Sequence, residues 1–475
     1  MNPNPLKQLA NQTAIYGLSS VIGRLLNYLL VPLYTRYFLP AEYGVVTEMY
    51  AYVAFLVVVL TYGMETAFFR FSKKENDANV VYSTTLISLL VTSLIFVGLI
   101  FSSSSSIADW MGYHNHKEYI EWFAIIIGLD AISSISFASL REKNKAIRFA
   151  VIRLINIFVN IGLNIFFIVY KEYGIEYIFI SNLISSIVTI VLLFPEMLKS
   201  IWIFDNRLWK KMMVYALPLL IAGLAGMTNE TIDRILLKHL LPNPDVASSE
   251  LGLYGAFYKL SIIMILFIQT FRFAAEPFFF TQEKEGKSRK IYADVMKYFT
   301  IITAIIFLIV TIFYDLIKQF IGNEYHDERG FLVVSILLLA NLFLGMYYNL
   351  SIWYKLTDKT KYGAYLSIFG AFITLTLNFM FIPIIGFVGS AWATLACYFS
   401  MTIASFYLGE KHFPIPYNLK RIGLYLLVML SIYLIIAITD INMWINSLYL
   451  LAFIILIFIL EKPKKMVFSS PKSPN

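Results

Sequence analysis

Long runs of apolar residues without a charged side chain constrain this chain more than any other feature. Val80 to Phe101 and Tyr298 to Tyr314 are two examples. Runs of roughly 17–25 residues match the roughly 30 Å hydrocarbon core of a bilayer, because a helix rises about 1.5 Å per residue. Only 14% of the 475 residues are charged, whereas soluble domains have about 25%. The sequence therefore predicts an all-α integral membrane protein.

Fourteen such spans are predicted, separated by short polar breaks without an inserted soluble domain. They lie at about residues 10–36, 43–70, 80–101, 119–140, 148–170, 176–195, 211–238, 251–280, 292–316, 331–353, 362–382, 387–408, 420–438 and 443–460. The first span continues past Leu30 without a small-residue cleavage motif, so we expect it to stay as a membrane helix and not to be removed as a signal peptide.

Lysine and arginine are distributed unevenly between the breaks. With the N-terminus inside, the inner segments hold 26 of the 38 basic residues and the outer segments hold six. Basic residues are in excess in cytoplasmic loops, so this split predicts an even number of spans with both termini in the cytoplasm. The net charge of +8 is explained by these loops and does not indicate a nucleic-acid partner.

The chain also repeats itself at offsets of slightly more than 200 residues. Leu39-Pro40 matches Leu241-Pro242, and Leu163-Asn164 matches Leu377-Asn378. Two halves of six spans have the same orientation, which predicts parallel repeats around a central cavity. The predicted units are an N-terminal six-helix lobe at 1–205, a C-terminal six-helix lobe at 206–416, helices 13 and 14 at 417–461, and a basic cytoplasmic tail at 462–475. Two lobes that rock about a cavity are typical of transporters that work by alternating access.

Several spans carry charged and amide side chains at spacings of three or four, which places them on one helix face. Such residues are costly in lipid and usually face a bundle interior or a wet cavity. The residues predicted to line a substrate cavity are Arg24, Asn27, Arg153, Asn156, Asn160, Arg234, Lys259 and Arg272. Both halves contribute, and guanidinium groups bind phosphate through two parallel hydrogen bonds. The pattern therefore predicts an anionic ligand.

Structural alternatives exist for the same residues. Arg24 could instead pair with Glu48 or Glu65 on span 2, and the asparagines could hold helices together by hydrogen bonds. Arg153 lies near the cytoplasmic end of its span, where its side chain could reach the interface. The spacing alone does not separate these alternatives from a ligand role.

Acidic residues within the spans are candidates for coupling to Na+ or H+. Glu230 and Arg234 are four residues apart in the order that favours an ion pair, which leaves Asp233 without a partner on its own helix. Glu65 and Glu276 are the other acidic candidates. No metal site, cofactor or enzymatic activity is predicted: the histidines lie in loops or at span ends, and Gly286-Lys287-Ser288 lacks the preceding glycine of a nucleotide-binding P-loop.

Three segments resemble bacterial polysaccharide flippases of the multidrug/oligosaccharidyl-lipid/polysaccharide (MOP) exporter superfamily. They are 216–235 with the motif ALPLL…NETIDRI, 253–260 with LYGAFYKL, and 377–394 with LNFMFIP…GFVGSAWAT. The resemblance covers about residues 8–410. It implies that the protein flips an undecaprenyl-pyrophosphate-linked oligosaccharide from the inner to the outer leaflet of the bacterial cytoplasmic (inner) membrane, for a surface polysaccharide such as lipopolysaccharide. Membrane lipid, a polysaccharide polymerase and glycosyltransferases are the implied partners.

The resemblance extends to the related murein-precursor flippases. Those proteins have a cavity arginine in span 1, which Arg24 resembles, and a sodium site built from spans 7, 11 and 12. Asp233, Asn378 and Thr394 are the matching positions here, although Ile382 stands where those flippases have a second carboxylate. Two other functions stay open. A cation-coupled drug exporter would favour a net negative cavity, and a membrane-embedded glycosyltransferase or polymerase would need a large outer loop.

Overall fold

The computed structural model describes residues 22–73, 77–284, 289–439 and 442–461 of the chain; between 274 and 284 it describes the side chains of Ala275 and Phe279 only. Within these residues all regular structure is helical and no strand occurs. The prediction of an all-α fold is therefore confirmed.

The helices follow one another along the chain with short connections. In order they are α1 (22–28), α2 (Leu30–Tyr37), α3 (Pro40–Thr61), α4 (Met64–Phe71), α5 (Ala78–Trp110), α6 (Lys117–Glu142), α7 (Ala146–Asn164), α8 (Glu176–Met197), α9 (Asn206–Leu240), α10 (Pro244–Leu260), α11 (Ile262–Lys284), α12 (Lys290–Ile312), α13 (Tyr314–Ile317), α14 (Gly330–Leu350), α15 (Ile352–Leu356), α16 (Lys361–Ile385), α17 (Phe387–His412), α18 (Leu419–Ile438) and α19 (Met443–Leu460). A π-helical turn, Ile165–Tyr170, continues α7.

Among the described residues, twelve helical stretches are long and apolar enough to cross a membrane. A further pair, α10 and α11, meets the same criterion together although it bends by 49°. The predicted first span, 10–36, lies partly outside the described residues. The chain is thus a multi-pass membrane protein, and the predicted spans agree with the helices to within a few residues at most ends.

Two spans differ from the hydropathy pattern for local reasons. α5 continues to Trp110, past the predicted end at residue 101. The hydroxyl of Ser103 donates to the Leu99 carbonyl at 2.7 Å, so this polar run satisfies its hydrogen bonds within the helix. The predicted span 43–70 is interrupted at Tyr62 and Gly63, which both have left-handed backbone angles (φ 33° and 73°). A glycine adopts this conformation without steric cost, so the chain can turn between α3 and α4.

The helices pack in two groups that meet along α9 and where α3 packs against α10. Helices α3 to α8 pack on one another, and so do α10 to α17, while α9 contacts both α3 and α16. α18 and α19 pack on α12, where Lys297 lies 2.6 Å from the Glu461 carboxylate. This arrangement agrees with two halves and an added helix pair; the boundary at residue 205 stays a prediction.

The two groups of helices approach each other most closely where α3 crosses α10. A Cβ atom built on Gly252 would lie 2.7 Å from the carbonyl carbon of Pro40 and 3.1 Å from the backbone nitrogen of Gly44. We call this contact the glycine crossing. Nearby, the Gly322 amide donates to the Thr35 hydroxyl at 3.0 Å. These contacts join the two groups of helices at this point.

Candidate functional site

Two adjoining chambers lie between the two groups of helices. The first chamber has a volume of about 490 Å³, and the second has about 550 Å³. Glu230 and Tyr258 line both, so the chambers form one central cavity. Polar residues of the first chamber are Asn27, Tyr34, Tyr43, Thr47, Tyr50, Asn156, Asn160, Asn182, Glu230, Thr231, Arg234, Tyr258 and Lys259. Charged residues of the second chamber are Arg24, Glu230, Arg272 and Lys355.

The charge of the cavity lining is strongly positive. Of the described residues, five basic side chains line the two chambers, and Glu230 is the one acidic side chain among them. The basic residues are Arg24, Arg234, Lys259, Arg272 and Lys355. Four of these five were predicted from the sequence to lie on the cavity, and Lys355 was assigned to a loop. An anionic group is the ligand that this lining attracts.

Arg24 projects from α1 into the second chamber. α1 packs closely on α7, since a Cβ atom on Gly23 would lie 2.7 Å from the Ile157 side chain. The structural alternative for Arg24 was an ion pair on span 2. In the described structure Glu48 instead accepts a hydrogen bond from Tyr113, and Glu65 accepts one from Arg141. Neither carboxylate pairs with Arg24.

Arg234 and Lys259 lie on the wall of the first chamber. The Arg234 guanidinium lies 4.2 Å from the centre of the Tyr258 ring and donates to the Glu230 backbone carbonyl at 3.2 Å. The predicted ion pair with the Glu230 carboxylate is therefore wrong, because the aromatic ring and the carbonyl group hold the guanidinium instead. The Lys259 ammonium has no ion pair or hydrogen bond with any described residue.

Asparagines of α7 form an ordered wall on the other side of the first chamber. Asn156 donates to the Ser185 carbonyl at 2.9 Å and to the Thr189 hydroxyl at 2.8 Å. The Asn160 side-chain oxygen accepts from Asn164 at 2.6 Å. The two asparagines therefore both hold neighbouring groups and line the cavity, so the alternatives of packing and ligand binding are not exclusive here.

One predicted cavity residue, Arg153, and one predicted coupling residue, Glu65, lie away from the chamber lining and contact other side chains. Arg153 packs its guanidinium over the rings of Phe137 and Phe149, at 5.2 and 5.3 Å from their centres, although it remains within electrostatic range of Arg24. Glu65 forms an ion pair with Arg141, so its assignment to a coupling site is not supported. The side chain of Glu276 lies outside the described residues. Arg272 stacks on Tyr348 at 4.9 Å on the second chamber.

The residues predicted to bind a cation lie on three helices that pack against one another, α9, α16 and α17. Asp233, Asn378 and Thr394 are all buried, with exposed fractions of 3%, 0% and 5%. Tyr254 donates to Asp233 at 2.6 Å, which is a partner that the sequence did not predict. Thr394 donates to the Ser390 carbonyl at 3.0 Å.

Buried oxygen atoms without a hydrogen-bond partner occur around these residues. Within the described part of the chain they include the side-chain oxygens of Asn229, Thr374, Asn378 and Ser390. Asn378 donates its amide hydrogen to the Thr374 carbonyl at 2.8 Å, so its own oxygen is left unpaired. Buried oxygens are normally paired, and oxygen atoms are the ligands of hard cations. The region around Asp233 is thus chemically suited to a small cation.

The tyrosines and Asn182 are cavity residues that the sequence analysis missed. Asn182 belongs to a polar stripe on α8 with Ser185, Ser186 and Thr189, at the same spacing of three to four that revealed the stripes on α1 and α7. The tyrosines gave no comparable signal, because aromatic residues in a span are more often in contact with lipid or the core.

Comparisons with solved structures identify the fold. The chain is similar to the lipid II flippase MurJ in an inward closed conformation, with a TM-score of 0.75 and 16% identity over 94% of this chain and 98% of that chain. A multidrug resistance MATE family transporter of the MOP superfamily, in an inward-facing conformation, gives a TM-score of 0.65 and 14% identity over 87% and 95%.

A third structure is a MOP superfamily transporter from Pyrococcus furiosus, whose title reports a binding pocket of reverse polarity. It gives a TM-score of 0.56 and 14% identity, covering 88% of this chain and 95% of that chain. At these identities the three structures establish the fold alone. No curated protein sequence is significantly similar to the chain.

A sequence profile described as "Polysaccharide biosynthesis protein" matches residues 33–330, well over half of the chain. The matched region includes most helices that line the central cavity. Together with the fold shared with MOP exporters, this match confirms the resemblance found in the sequence motifs, and the chain belongs to the polysaccharide biosynthesis protein family.

Proposed function

We propose that this protein flips a polyprenyl-pyrophosphate-linked oligosaccharide from the inner to the outer leaflet of the bacterial cytoplasmic membrane. The head group enters the central cavity while the polyprenyl tail stays in lipid. The two groups of helices then rock about the cavity and open it to the other side. The flipped product is the material from which a surface polysaccharide is built. This role is transport and includes no covalent chemistry.

The observation that carries this proposal is the unpaired positive charge of the cavity. Arg24 and Lys259 line it without a carboxylate partner among the described residues. An arginine in a membrane interior costs at least about 2.5–3.5 kcal/mol, so an anionic ligand that offsets this cost is expected. A pyrophosphate supplies several acceptor oxygens for a planar guanidinium fork.

Substitution of Arg24 tests the proposal directly. The Arg24→Ala protein should insert normally into the membrane but fail to move lipid-linked oligosaccharide, because the guanidinium that binds the pyrophosphate is lost. Arg24→Lys should be partly active, since it keeps the charge but loses the planar fork. The measurement is head-group translocation in proteoliposomes, with Arg207→Ala as the matched control because Arg207 is exposed at the end of α9. Full activity of well-expressed Arg24→Ala protein would refute the role of Arg24.

The energy source in this proposal is a gradient of Na+ or H+. Asp233, Asn378 and Thr394 form the proposed site, and it is supported by the buried unpaired oxygens of Asn378 and Thr374. Binding of a cation there would change how α9 packs against α16 and α17, and α9 also contacts the first group of helices. The dependence of flipping on Na+ and pH in an Asp233→Asn variant tests this role.

The orientation is part of the proposal and has its own test. The charge distribution places both termini in the cytoplasm and the turn that contains His114 outside. Single cysteines at His114 and Ser470, in a Cys397→Ser background, should react differently with an impermeant thiol reagent. His114 is exposed, so it should react from outside intact cells. Labelling of position 470 from outside would overturn this orientation.

A cation-coupled drug exporter shares the fold and is the main alternative. Its typical substrates are organic cations, which the five basic residues of the described lining would repel. The exporter would be favoured if the purified protein transported a cationic dye and if neither polyprenyl pyrophosphate nor its glycosylated form inhibited that transport.

A further inference from the structure

The first chamber has two walls of different chemistry. Its charged residues all come from the second half of the chain, and the first half contributes neutral side chains only, among the described residues. We define the amide wall as Tyr50, Asn156, Asn160 and Asn182, on α3, α7 and α8. The orientations of these side chains are fixed by their hydrogen bonds, so the groups they present to the cavity can be deduced.

Asn156 presents a hydrogen-bond acceptor. Its side-chain nitrogen donates to the Ser185 backbone carbonyl and to the Thr189 hydroxyl, at 2.9 and 2.8 Å. A backbone carbonyl can only accept, so the amide nitrogen must point toward α8. The side-chain oxygen of Asn156 has no partner among the described residues and is left for a ligand.

Asn160 presents a hydrogen-bond donor to the cavity, because its side-chain oxygen is already bonded. Asn164 donates to the Asn160 backbone carbonyl at 2.8 Å and to the Asn160 side-chain oxygen at 2.6 Å. The Asn160 backbone carbonyl can only accept, which fixes the orientation of Asn164, and Tyr34 in turn donates to the Asn164 side-chain oxygen at 3.0 Å. The oxygen of Asn160 is thereby occupied, and its NH2 group remains for the cavity.

Asn182 and Tyr50 complete the wall. Asn182 donates to the Tyr50 hydroxyl oxygen at 2.8 Å, so the hydroxyl proton of Tyr50 and the side-chain oxygen of Asn182 remain. The Tyr50 ring is held by an edge contact with Phe123, with ring centres 5.6 Å apart. The amide wall therefore offers at least two acceptors and two donors, since Asn182 also keeps its second amide hydrogen; all are uncharged and held in place before a ligand arrives.

This combination matches one chemical class within the proposed substrate. A pyrophosphate has acceptors only and would face the carbonyl oxygens of Asn156 and Asn182 unfavourably. A polyprenyl chain would leave all four groups unpaired, which is costly for buried polar groups. Sugar hydroxyls both donate and accept, and they satisfy both kinds of group without carrying charge.

We infer that the amide wall binds the uncharged sugar residues next to the pyrophosphate and so determines which oligosaccharide is accepted. The inference rests on the proposed function and assigns the chemistry of the site within it. The pyrophosphate lies against Arg24 and the basic residues of the second half, and the sugars extend toward the amide wall. Glu230 and Tyr258 line both chambers, so one continuous ligand can occupy both.

The test compares two probes that differ only in the sugar. Undecaprenyl pyrophosphate lacks a sugar, and undecaprenyl-pyrophosphoryl-N-acetylglucosamine carries one neutral sugar. The wild-type protein in detergent should bind the glycosylated probe more tightly. Asn160→Leu and Asn182→Leu should each reduce this preference roughly 2- to 10-fold, which is the usual effect of one neutral hydrogen bond. Binding of the bare probe should stay unchanged, and this also shows that each variant is folded.

Two further variants serve as a conservative substitution and as a control. Tyr50→Phe removes one hydroxyl and keeps the ring, so it should reduce the preference even if a leucine variant does not fold. Asn323→Leu, at an exposed turn outside the cavity, is the matched control and should behave as wild type.

The outcomes separate this inference from the proposed function. If the wild-type protein binds both probes equally, or if the amide-wall variants keep the wild-type preference, the sugar-binding role is wrong while pyrophosphate binding stands. If the protein binds neither probe, the proposed function itself fails. Reduced preference in Asn160→Leu, Asn182→Leu and Tyr50→Phe, with normal binding of the bare probe, supports the inference.

Discussion

Replacement of Gly252 by alanine should push the protein out of the conformation seen here. The new methyl group would lie 2.7 Å from the carbonyl carbon of Pro40, whereas ordinary van der Waals contact begins at 3.4 Å. The carbonyl oxygen of Pro40 would lie closer still, so the helices α3 and α10 would have to separate by more than about 0.7 Å, the difference between these two distances. Both partners are backbone, Gly252 within α10 and Pro40 at the first position of α3, so no side-chain rotation can relieve the clash.

The free-energy cost of such overpacking is about 1–3 kcal/mol. If the glycine crossing separates when the two groups of helices rock about the cavity, this cost falls only on the state in which the crossing is closed. A difference of this size changes a two-state equilibrium by about 5- to 150-fold. Gly252→Ala should therefore increase the population that is open at the glycine crossing, and transport should slow because the closed state is reached less often.

Spin labels at His114 and Glu324 can measure this change. Both residues are exposed and lie at the same end of the cavity, one in each half. In Gly252→Ala the distance distribution should gain a longer component, and in Gly98→Ala it should not, because a Cβ atom at Gly98 meets nothing within 4 Å. A folded Gly252→Ala protein with the wild-type distance distribution would refute the view that the glycine crossing is a gate.

Three further predictions follow from other contacts. Asp233→Asn should remove the dependence of flipping on Na+ or pH in proteoliposomes, and an unchanged dependence would make Asp233 structural. Glu196 is 1% exposed and lies 3.4, 2.7 and 3.1 Å from Lys145, Arg148 and Lys199. Glu196→Gln should lower the stability by about 1–3 kcal/mol in thermal unfolding, which is less than for a fully buried pair because the three cations are partly exposed. The exposed control Glu324→Gln should have no effect. Burial raises the pKa of the Glu461 carboxyl, but hydrogen bonds from Lys297 and Tyr425 outweigh burial and leave that pKa below its ordinary value. The contribution of Glu461 to stability should therefore be complete above about pH 4.3, the ordinary pKa of a glutamate, and should be lost as the pH falls through the lowered pKa. Glu461→Gln should remove this acid sensitivity of unfolding.

Hydropathy and helical spacing predicted most of the fold because both are local properties of a membrane helix. The ends of the spans follow from where charges begin, and the faces of α1 and α7 follow from a period of 3.6 residues. For this reason Arg24, Asn27, Asn156 and Asn160 lie on the central cavity as expected. Their roles in transport stay predictions.

The choice of partner between helices could not be read from spacing. Glu230 and Arg234 fit the rule for an ion pair within one helix, yet the guanidinium lies over the Tyr258 ring of α10 and donates to the Glu230 backbone carbonyl instead. Glu65 had no basic neighbour in the sequence, and Arg141 reaches it from α6. Such contacts depend on how helices far apart in the chain are packed, and a single helix pattern has no information about that packing.

The division of the first chamber into a neutral wall and a charged wall has a consequence for how such proteins diversify. The neutral groups come from α3, α7 and α8, and the charged groups Glu230, Arg234 and Lys259 come from α9 and α10. If the amide wall binds sugars as proposed, substitutions among the amides change the accepted sugar without altering the charge that is proposed to hold the carrier lipid. On that proposal, a lineage would acquire a new surface polymer through a few changes in one half of the chain while the other half remains under constant selection.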